Sequence, residues 1–213
     1  MTGRVIFRLL MVAACVLYSN LLAASAAPGD LDLSFGVQGR RTILIPNSNP
    51  QSALHWNPTE DIAFQPDGKI LVAGSAFDSF RAFDFTVTRF NPDGSLDTSF
   101  ANGGVFRYDF FGKDDHGWGI ALQPDGKIII AGEAYLAVVN NQADTAFALI
   151  RLNPNGSFDQ SFGTGGIVIT NFFNSLDSAT EVALQPDGKI IATGYVTQGG
   201  VNNGSTYDFA LAR

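Results

Sequence analysis

Two clusters of histidine and tryptophan are the residues of this chain whose types and spacing best suit ligand recognition. The candidate ligand-binding residues are His55, Trp56, His116 and Trp118. Asp114 and Asp115 directly precede the second cluster. An aromatic ring beside polar side chains offers a stacking surface together with hydrogen bonds, a combination that sugars and peptides use. The alternative is that both tryptophans pack in the core and both histidines face solvent.

Carboxylates near the same positions suggest a second kind of chemistry. Five acidic residues fall close to the start of predicted strands: Glu60, Asp114, Asp115, Asp177 and Glu181. Paired carboxylates are the catalytic groups of glycoside hydrolysis, so an extracellular polysaccharide hydrolase or lyase is one possible function. No set of acids or bases recurs in register, which favours a non-catalytic binding or structural module.

Other catalytic and metal chemistries find little support. Asn91, Asp93, Ser95 and Asp97 alternate like calcium ligands, but the loop lacks the glycine at its sixth position and the glutamate at its twelfth that an EF-hand needs. Capping of a turn explains the same residues. The sequence has no G-x-S-x-G motif, and we predict no metal site and no cofactor.

The first 26 residues have the pattern of a secretory signal peptide. Arg4 and Arg8 precede an apolar stretch, and Ala24-Ser25-Ala26 forms an A-x-A cleavage signal. The stretch is too short for the roughly 20 residues of a spanning helix. We therefore expect cleavage after Ala26 and a secreted, periplasmic or cell-surface protein. A bacterial lipoprotein with Cys15 as its lipidated N-terminus is the alternative.

Composition favours an all-β fold and argues against nucleic acid as a partner. Of 213 residues 46% are hydrophobic and 15% are charged, which is typical of a globular chain. The acidic residues are 17 Asp and three Glu, so turn formers outnumber helix formers. A net charge of -7 does not suit a phosphate backbone.

Residues 27–213 contain three copies of one unit. The block QPDGKI recurs at 65–70, 123–128 and 185–190, and Arg89, Arg151 and Arg213 end three related segments 62 residues apart. The units are marked by residues 62–89, 120–151 and 182–213. The signal peptide (1–26) and one β-repeat domain (27–213) therefore account for the chain.

Each unit is predicted to contain four strands, which the middle copy shows at 105–110, 119–123, 127–131 and 146–152. Pro-Asp-Gly forms a tight hairpin between the second and third of them. The third strand is expected to end at a glycine in every copy: Gly74, Gly132 and Gly194.

The segments ALQPDGKIIIAG and FALIRLNPNGSFDQSFGTGG resemble the bacterial delta-60 repeat family. The resemblance covers essentially all of 28–213. It implies β-propeller blades and a secreted or surface protein of mostly unassigned activity, and it brings no catalytic residues.

Three units are fewer than the four to eight blades of a closed propeller. The chain could belong to a longer parent array, could pair with a second copy as a homodimer of six blades, or could close as a β-trefoil or β-prism. In a blade arrangement the N-terminal strand, residues 28–46, would complete the last unit as its outermost strand and so cover an exposed edge.

All variation in loop length falls on one face of such a blade array, and the fixed turns fall on the other. Variable loops on a rigid scaffold are a common place for recognition, so we expect a protein or glycan ligand there. We also predict that each repeated arginine pairs with the aspartate of the Leu/Phe-Asp-x-Ser-Phe segment that follows it, as Arg151 with Asp159.

Overall fold

Three separate antiparallel sheets stand side by side in a computed structural model that describes residues 27–45, 58–77, 82–139, 142–198 and 206–213. The first sheet has the order β1-β2-β3-β4 and the second the order β5-β6-β7-β8, while the third has the order β11-β10-β9. The described residues contain no helix. This is the blade-like arrangement that the repeat predicts, and closure as a β-trefoil or a β-prism is not seen among the described residues.

The strand bounds are as follows: β1 Thr59–Phe64, β2 Ile70–Phe77, β3 Phe83–Phe90, β4 Val105–Tyr108, β5 His116–Leu122, β6 Ile128–Val139, β7 Gln142–Leu152, β8 Ile167–Thr170, β9 Asp177–Leu184, β10 Ile190–Gln198 and β11 Thr206–Ala212. In the middle unit all four predicted strands are present. The strands β6 and β7 both extend further toward their shared connection than the sequence pattern predicts.

The Pro-Asp-Gly turn closes a hairpin in each unit. Gly68, Gly126 and Gly188 have φ values of 83°, 83° and 82°, a conformation that glycine adopts without steric cost. In each turn the backbone N–H of the glutamine donates to the carbonyl of the lysine four residues later at 2.8 Å. The predicted hairpins are therefore confirmed in all three copies.

The prediction that a strand ends at Gly74, Gly132 and Gly194 is wrong. The strands β2, β6 and β10 continue for three or more residues beyond these glycines. Each glycine lies beside a β-bulge in the strand before it, and a Cβ there would collide with the carbonyl oxygen of Pro58, His116 or Ser178. The glycines are present because they allow a close backbone approach.

Replacing Gly132 with alanine tests this reason. A Cβ would meet both the His116 carbonyl and the ring of Phe85 on the neighbouring sheet, so the backbone would have to shift. We expect a loss of about 1–3 kcal/mol in the free energy of unfolding, measured by urea denaturation. An unchanged unfolding midpoint would contradict the steric explanation.

The core lies between the sheets in two layers. One apolar cluster joins the first and second sheets through Phe85, Phe106 and Ile130, and another joins the second and third through Phe147, Val182 and Val196. Strand β5 contacts both β1 and β9. The first strands of the three sheets are therefore neighbours, as in a propeller.

The sheets do not close on one another. Residues 41–45, the predicted outermost strand of the last unit, lie in no strand, and the third sheet has three strands. Completion of the third sheet by this segment stays a prediction. None of the described residues forms a helix that could span a membrane.

Candidate functional site

His116 lies on the face with the variable loops, at the start of β5. Its cross-strand partner on β6 is Glu133, and its ring reaches across to the first sheet, where Nδ1 lies 3.3 Å from the Ser75 hydroxyl oxygen. Burial lowers the pKa of His116, while the charge of Asp114 acts in the opposite direction. The imidazole is therefore neutral near pH 7 and can donate or accept a hydrogen bond.

Trp118 stacks on the same imidazole. The two ring centroids are 5.3 Å apart with an angle of 26° between the planes, and the ring centroid of Phe83 lies 4.9 Å from that of His116 in a tilted arrangement. Trp118 is the extra residue of the bulge between Gly117 and Gly119. Bulges re-aim side chains and are frequent beside functional sites, and here the bulge places a half-buried indole beside the histidine.

A row of polar side chains continues from His116 across the second and third sheets. Glu133 on β6 lies beside Ser178 on β9, and Ser178 is the cross-strand partner of Tyr195 on β10. Burial raises the pKa of the Glu133 carboxyl, the Ser178 hydroxyl partly offsets this effect, and the charge of Asp114 adds to it. Ser178 is fully buried, so the half-buried Glu133 carboxyl and Tyr195 phenol are the groups of this row that a ligand could reach beside the aromatic stack.

The structure brings together two of the four predicted ligand residues. His116 and Trp118 form one cluster, whereas His55 and Trp56 lie outside the described residues. Sequence reasoning did not single out Ser75, Glu133, Ser178 or Tyr195. Three of them share a signal of position, because Ser75, Glu133 and Tyr195 each directly follow the glycine opposite the bulge.

Asp115 is a structural residue and not an accessible carboxylate. Its side chain is fully buried, and its two oxygens accept the backbone N–H groups of Phe110 at 2.8 Å and Tyr135 at 2.9 Å. Asp177, at the equivalent position, is also fully buried and accepts the N–H of Phe172 at 2.7 Å. The repeated Phe-Phe-x-x-x-Asp spacing was the available signal for this role.

The predicted pairing of arginine with aspartate is confirmed in the first two units. Arg151 Nε lies 2.8 Å from Asp159 Oδ2, and Arg89 Nε lies 2.8 Å from Asp97 Oδ2. The aspartates also accept a serine N–H and hydroxyl two residues later, which lowers their pKa. In these two units the pair ties the end of the third strand to the segment that follows it.

The alternating Asn, Asp and Ser residues form capped turns. Ser95 donates its N–H and its hydroxyl to Asp93 Oδ1 at 2.8 and 2.6 Å, and Ser157 makes the same contacts with Asn155. Within the described ranges, no group of three His, Cys, Asp or Glu residues is close enough to hold a metal ion.

Comparison with protein families decides the class of repeat. Residues 65–100, 123–162 and 185–213 match the model of a domain of unknown function, DUF5122, described as a β-propeller. The chain is a propeller-type repeat protein. The three matched segments start at the three QPDGKI blocks, so this propeller-type assignment and the internal repeat agree. No curated protein matches the chain. The delta-60 resemblance stays a prediction.

Proposed function

We propose that this propeller-type protein is the binding module of an exported protein and takes its ligand on the variable-loop face at Trp118. The observation that supports the proposal is the stack of His116 and Trp118, with Phe83 in contact with the imidazole, beside polar groups at the edge of two sheets. A neutral imidazole and an indole provide a flat apolar surface, and Glu133 and Tyr195 provide hydrogen bonds in the same row.

A glycan is the ligand class that this chemistry suits best. The apolar face of a sugar ring stacks on tryptophan, and its hydroxyl groups bond to carboxyl, phenol and imidazole groups. A peptide with an aromatic side chain is the other class that the sequence suggests. The export part of the proposal depends on residues 1–26, and N-terminal sequencing of the protein from the culture medium or periplasm tests it.

Replacing Trp118 with alanine is expected to weaken glycan binding at least tenfold, because the stacking surface is lost. Binding is screened on a glycan array and then measured by isothermal titration calorimetry. The matched control is Phe111→Ala, which removes an exposed aromatic ring from the loop preceding β5. Equal affinity of Trp118→Ala and the unmodified protein for the same glycan would contradict the proposed site.

Polysaccharide hydrolysis or cleavage is the second candidate function, supported by one observation. Glu133 is a partly buried carboxyl of raised pKa near the charge of Asp114, and a pair of carboxyls is the catalytic arrangement of glycoside hydrolysis. Turnover of a polysaccharide that is abolished by Glu133→Gln would favour this function. Glycan binding without turnover would favour the binding module.

A further inference from the structure

The outer face of the third sheet exposes apolar residues whose counterparts are buried elsewhere in the chain. Phe209 and Leu211 on β11 are 103% and 65% exposed. The equivalent Phe147 and Leu149 on β7 are 0% and 7% exposed, because they pack against the third sheet. The third sheet therefore presents the same surface that the second sheet buries, without the neighbour.

The first sheet exposes the opposite face. Ile62 on β1 is 53% exposed, whereas its counterparts Ile120 and Val182 are 6% and 5% exposed against the preceding sheet. A groove of about 460 Å³ runs along this face, lined on one side by Ile62 and on the other by Phe35. The two exposed faces are the two halves of an interface that the chain already forms twice internally.

Residues 40–43 have the position of an outer blade strand but lie in none of the sheets that the described residues form. Residues 40–43 align with β4 (Val105–Tyr108) and β8 (Ile167–Thr170), which pair with β3 and β7. The turn before residues 40–43 packs on the first sheet, where the backbone N–H of Gly36 donates to the Asp93 carbonyl. The equivalent turn before β4 packs on the second sheet in the same way, through the N–H of Ala101 and the Asn155 carbonyl. The third sheet lacks this fourth strand.

We call the aspartate with its bound arginine and lysine the ionic module. The residues of its third copy are divided between the N-terminal segment, residues 27–45, and the third sheet. In the first unit Asp97 lies 2.8 Å from Arg89 and 3.2 Å from Lys69, and in the second Asp159 lies 2.8 Å from Arg151 and 3.2 Å from Lys127. The third arginine and lysine are Arg213 and Lys189, and the remaining aspartate is Asp32. Among the described residues Asp32 lies within 4 Å of no cation, and Arg213 lies within 4 Å of no carboxylate.

A groove beside the third sheet matches a side chain of the N-terminal segment. In the second unit Phe158 packs edge-on against Phe106 and Tyr108, with ring centroids 5.3 and 5.1 Å apart. The counterpart of this position in the N-terminal segment is Leu31, which is 48% exposed. A groove of about 570 Å³, lined in part by Val168 of the second sheet and Arg213 at the end of the third, occupies the equivalent place.

We propose that a second copy of this chain covers both faces and that two chains form one ring of six blades. Residues 40–43 of each copy add the fourth strand to the third sheet of the other copy. The register is taken from the first sheet, where Arg107 on β4 is opposite Thr86 on β3. The equivalent residues, Thr42 and Ala210, are then opposite each other across the two copies. Asp32 then binds Arg213 and Lys189 of the other copy, and Leu31 enters the groove. Two copies of the three described sheets give six blades, which lies within the four to eight that are typical of propellers.

The molar mass measured by multi-angle light scattering tests the assembly. The unmodified protein is expected at twice the mass of one chain, and Phe209→Asp at the mass of one chain, because Phe209 is solvent-exposed in the isolated chain and contacts only the second copy. The control Phe111→Asp, another exposed phenylalanine, keeps the double mass. A monomeric unmodified protein, or a dimeric Phe209→Asp, would overturn the proposal; circular dichroism verifies that each variant is folded.

Disulfide trapping tests the register in the Cys15→Ser background. Thr42→Cys and Ala210→Cys are placed on separate chains and mixed, since cross-strand partners are about 4.5–5.5 Å apart and suit a disulfide. A covalent dimer on non-reducing gels is expected. The control pair Thr42→Cys with Asp208→Cys, two residues out of register, remains uncrosslinked. Absence of the dimer in the first pair would overturn the register. With both cysteines in one chain, a crosslinked monomer or a polymer ladder would overturn the six-bladed ring.

Discussion

Replacing Arg89 with methionine is expected to lower the free energy of unfolding by about 3–5 kcal/mol. Arg89 and Asp97 are 6% and 7% exposed, and the guanidinium donates to Asp97 at 2.8 Å and to the Pro154 carbonyl in the next unit. It also lies over the ring of Phe100 at 4.6 Å. Methionine keeps much of the volume but leaves Asp97 buried with Lys69 as its remaining cation.

Chemical denaturation followed by circular dichroism measures this loss. Lys113→Met, at an exposed loop position, is the control and is expected to change stability by no more than about 0.5 kcal/mol. Similar unfolding midpoints for the two variants would show that the Arg89 module contributes little. The Asp97 pKa is lowered in the folded protein, so its stabilising contribution is present above about pH 4 and is lost as the pH falls further.

Replacing Asp115 with alanine is expected to cost about 2–5 kcal/mol at pH 4, because the buried N–H groups of Phe110 and Tyr135 both lose their acceptor. The control is Asp114→Ala. That side chain is exposed and accepts one N–H, from Phe83 at 3.1 Å, so we expect a loss within about 1 kcal/mol. Equal losses for the two variants would contradict the structural role of Asp115.

The contribution of Asp115 to stability is predicted to change with pH in the direction opposite to that of Asp97. Burial raises the pKa of Asp115 to about 7 in the folded protein, well above the value of about 3.9 in an unfolded chain. The folded state therefore binds more protons between these values, and the contribution of Asp115 to stability falls as the pH rises from about 4 to 7, by up to about 4 kcal/mol. In Asp115→Asn this slope is expected to disappear. If Asp115→Asn keeps the pH dependence of stability of the unmodified protein, another titrating group is responsible for it.

Much of the fold could be predicted because the repeat makes local signals reliable. The Pro-Asp-Gly hairpins and the pairing of Arg151 with Asp159 depend on residues close in sequence. The continuation of β6 to Val139 could not be predicted. In the sequence alone Gly132 indicates the end of a strand, and only the bulge in the partner strand explains why a glycine is needed there. A bulge is a property of two strands together.

The candidate site was predictable only in part. His116 and Trp118 were predicted from residue type, and the structure places them in one stack. Ser75 and Ser178 belong to other sheets, so their approach to His116 and Glu133 depends on how the sheets pack. Asp115 was predicted as one of several carboxylates at a strand entry, but only its surroundings show that it is buried.

The sequence by itself determined the period, the turns and the residues of the ionic module. What only the tertiary structure decided is which copies of a repeated surface are covered. The segments AFALIR and DFALAR are nearly the same and both form the third strand of a sheet, yet Phe147 is 0% exposed and Phe209 is 103% exposed. Hydrogen bonds within a strand pair are set by local sequence, whereas burial requires a second sheet at the right distance. That neighbour is present for Phe147 and, in the single chain, absent for Phe209.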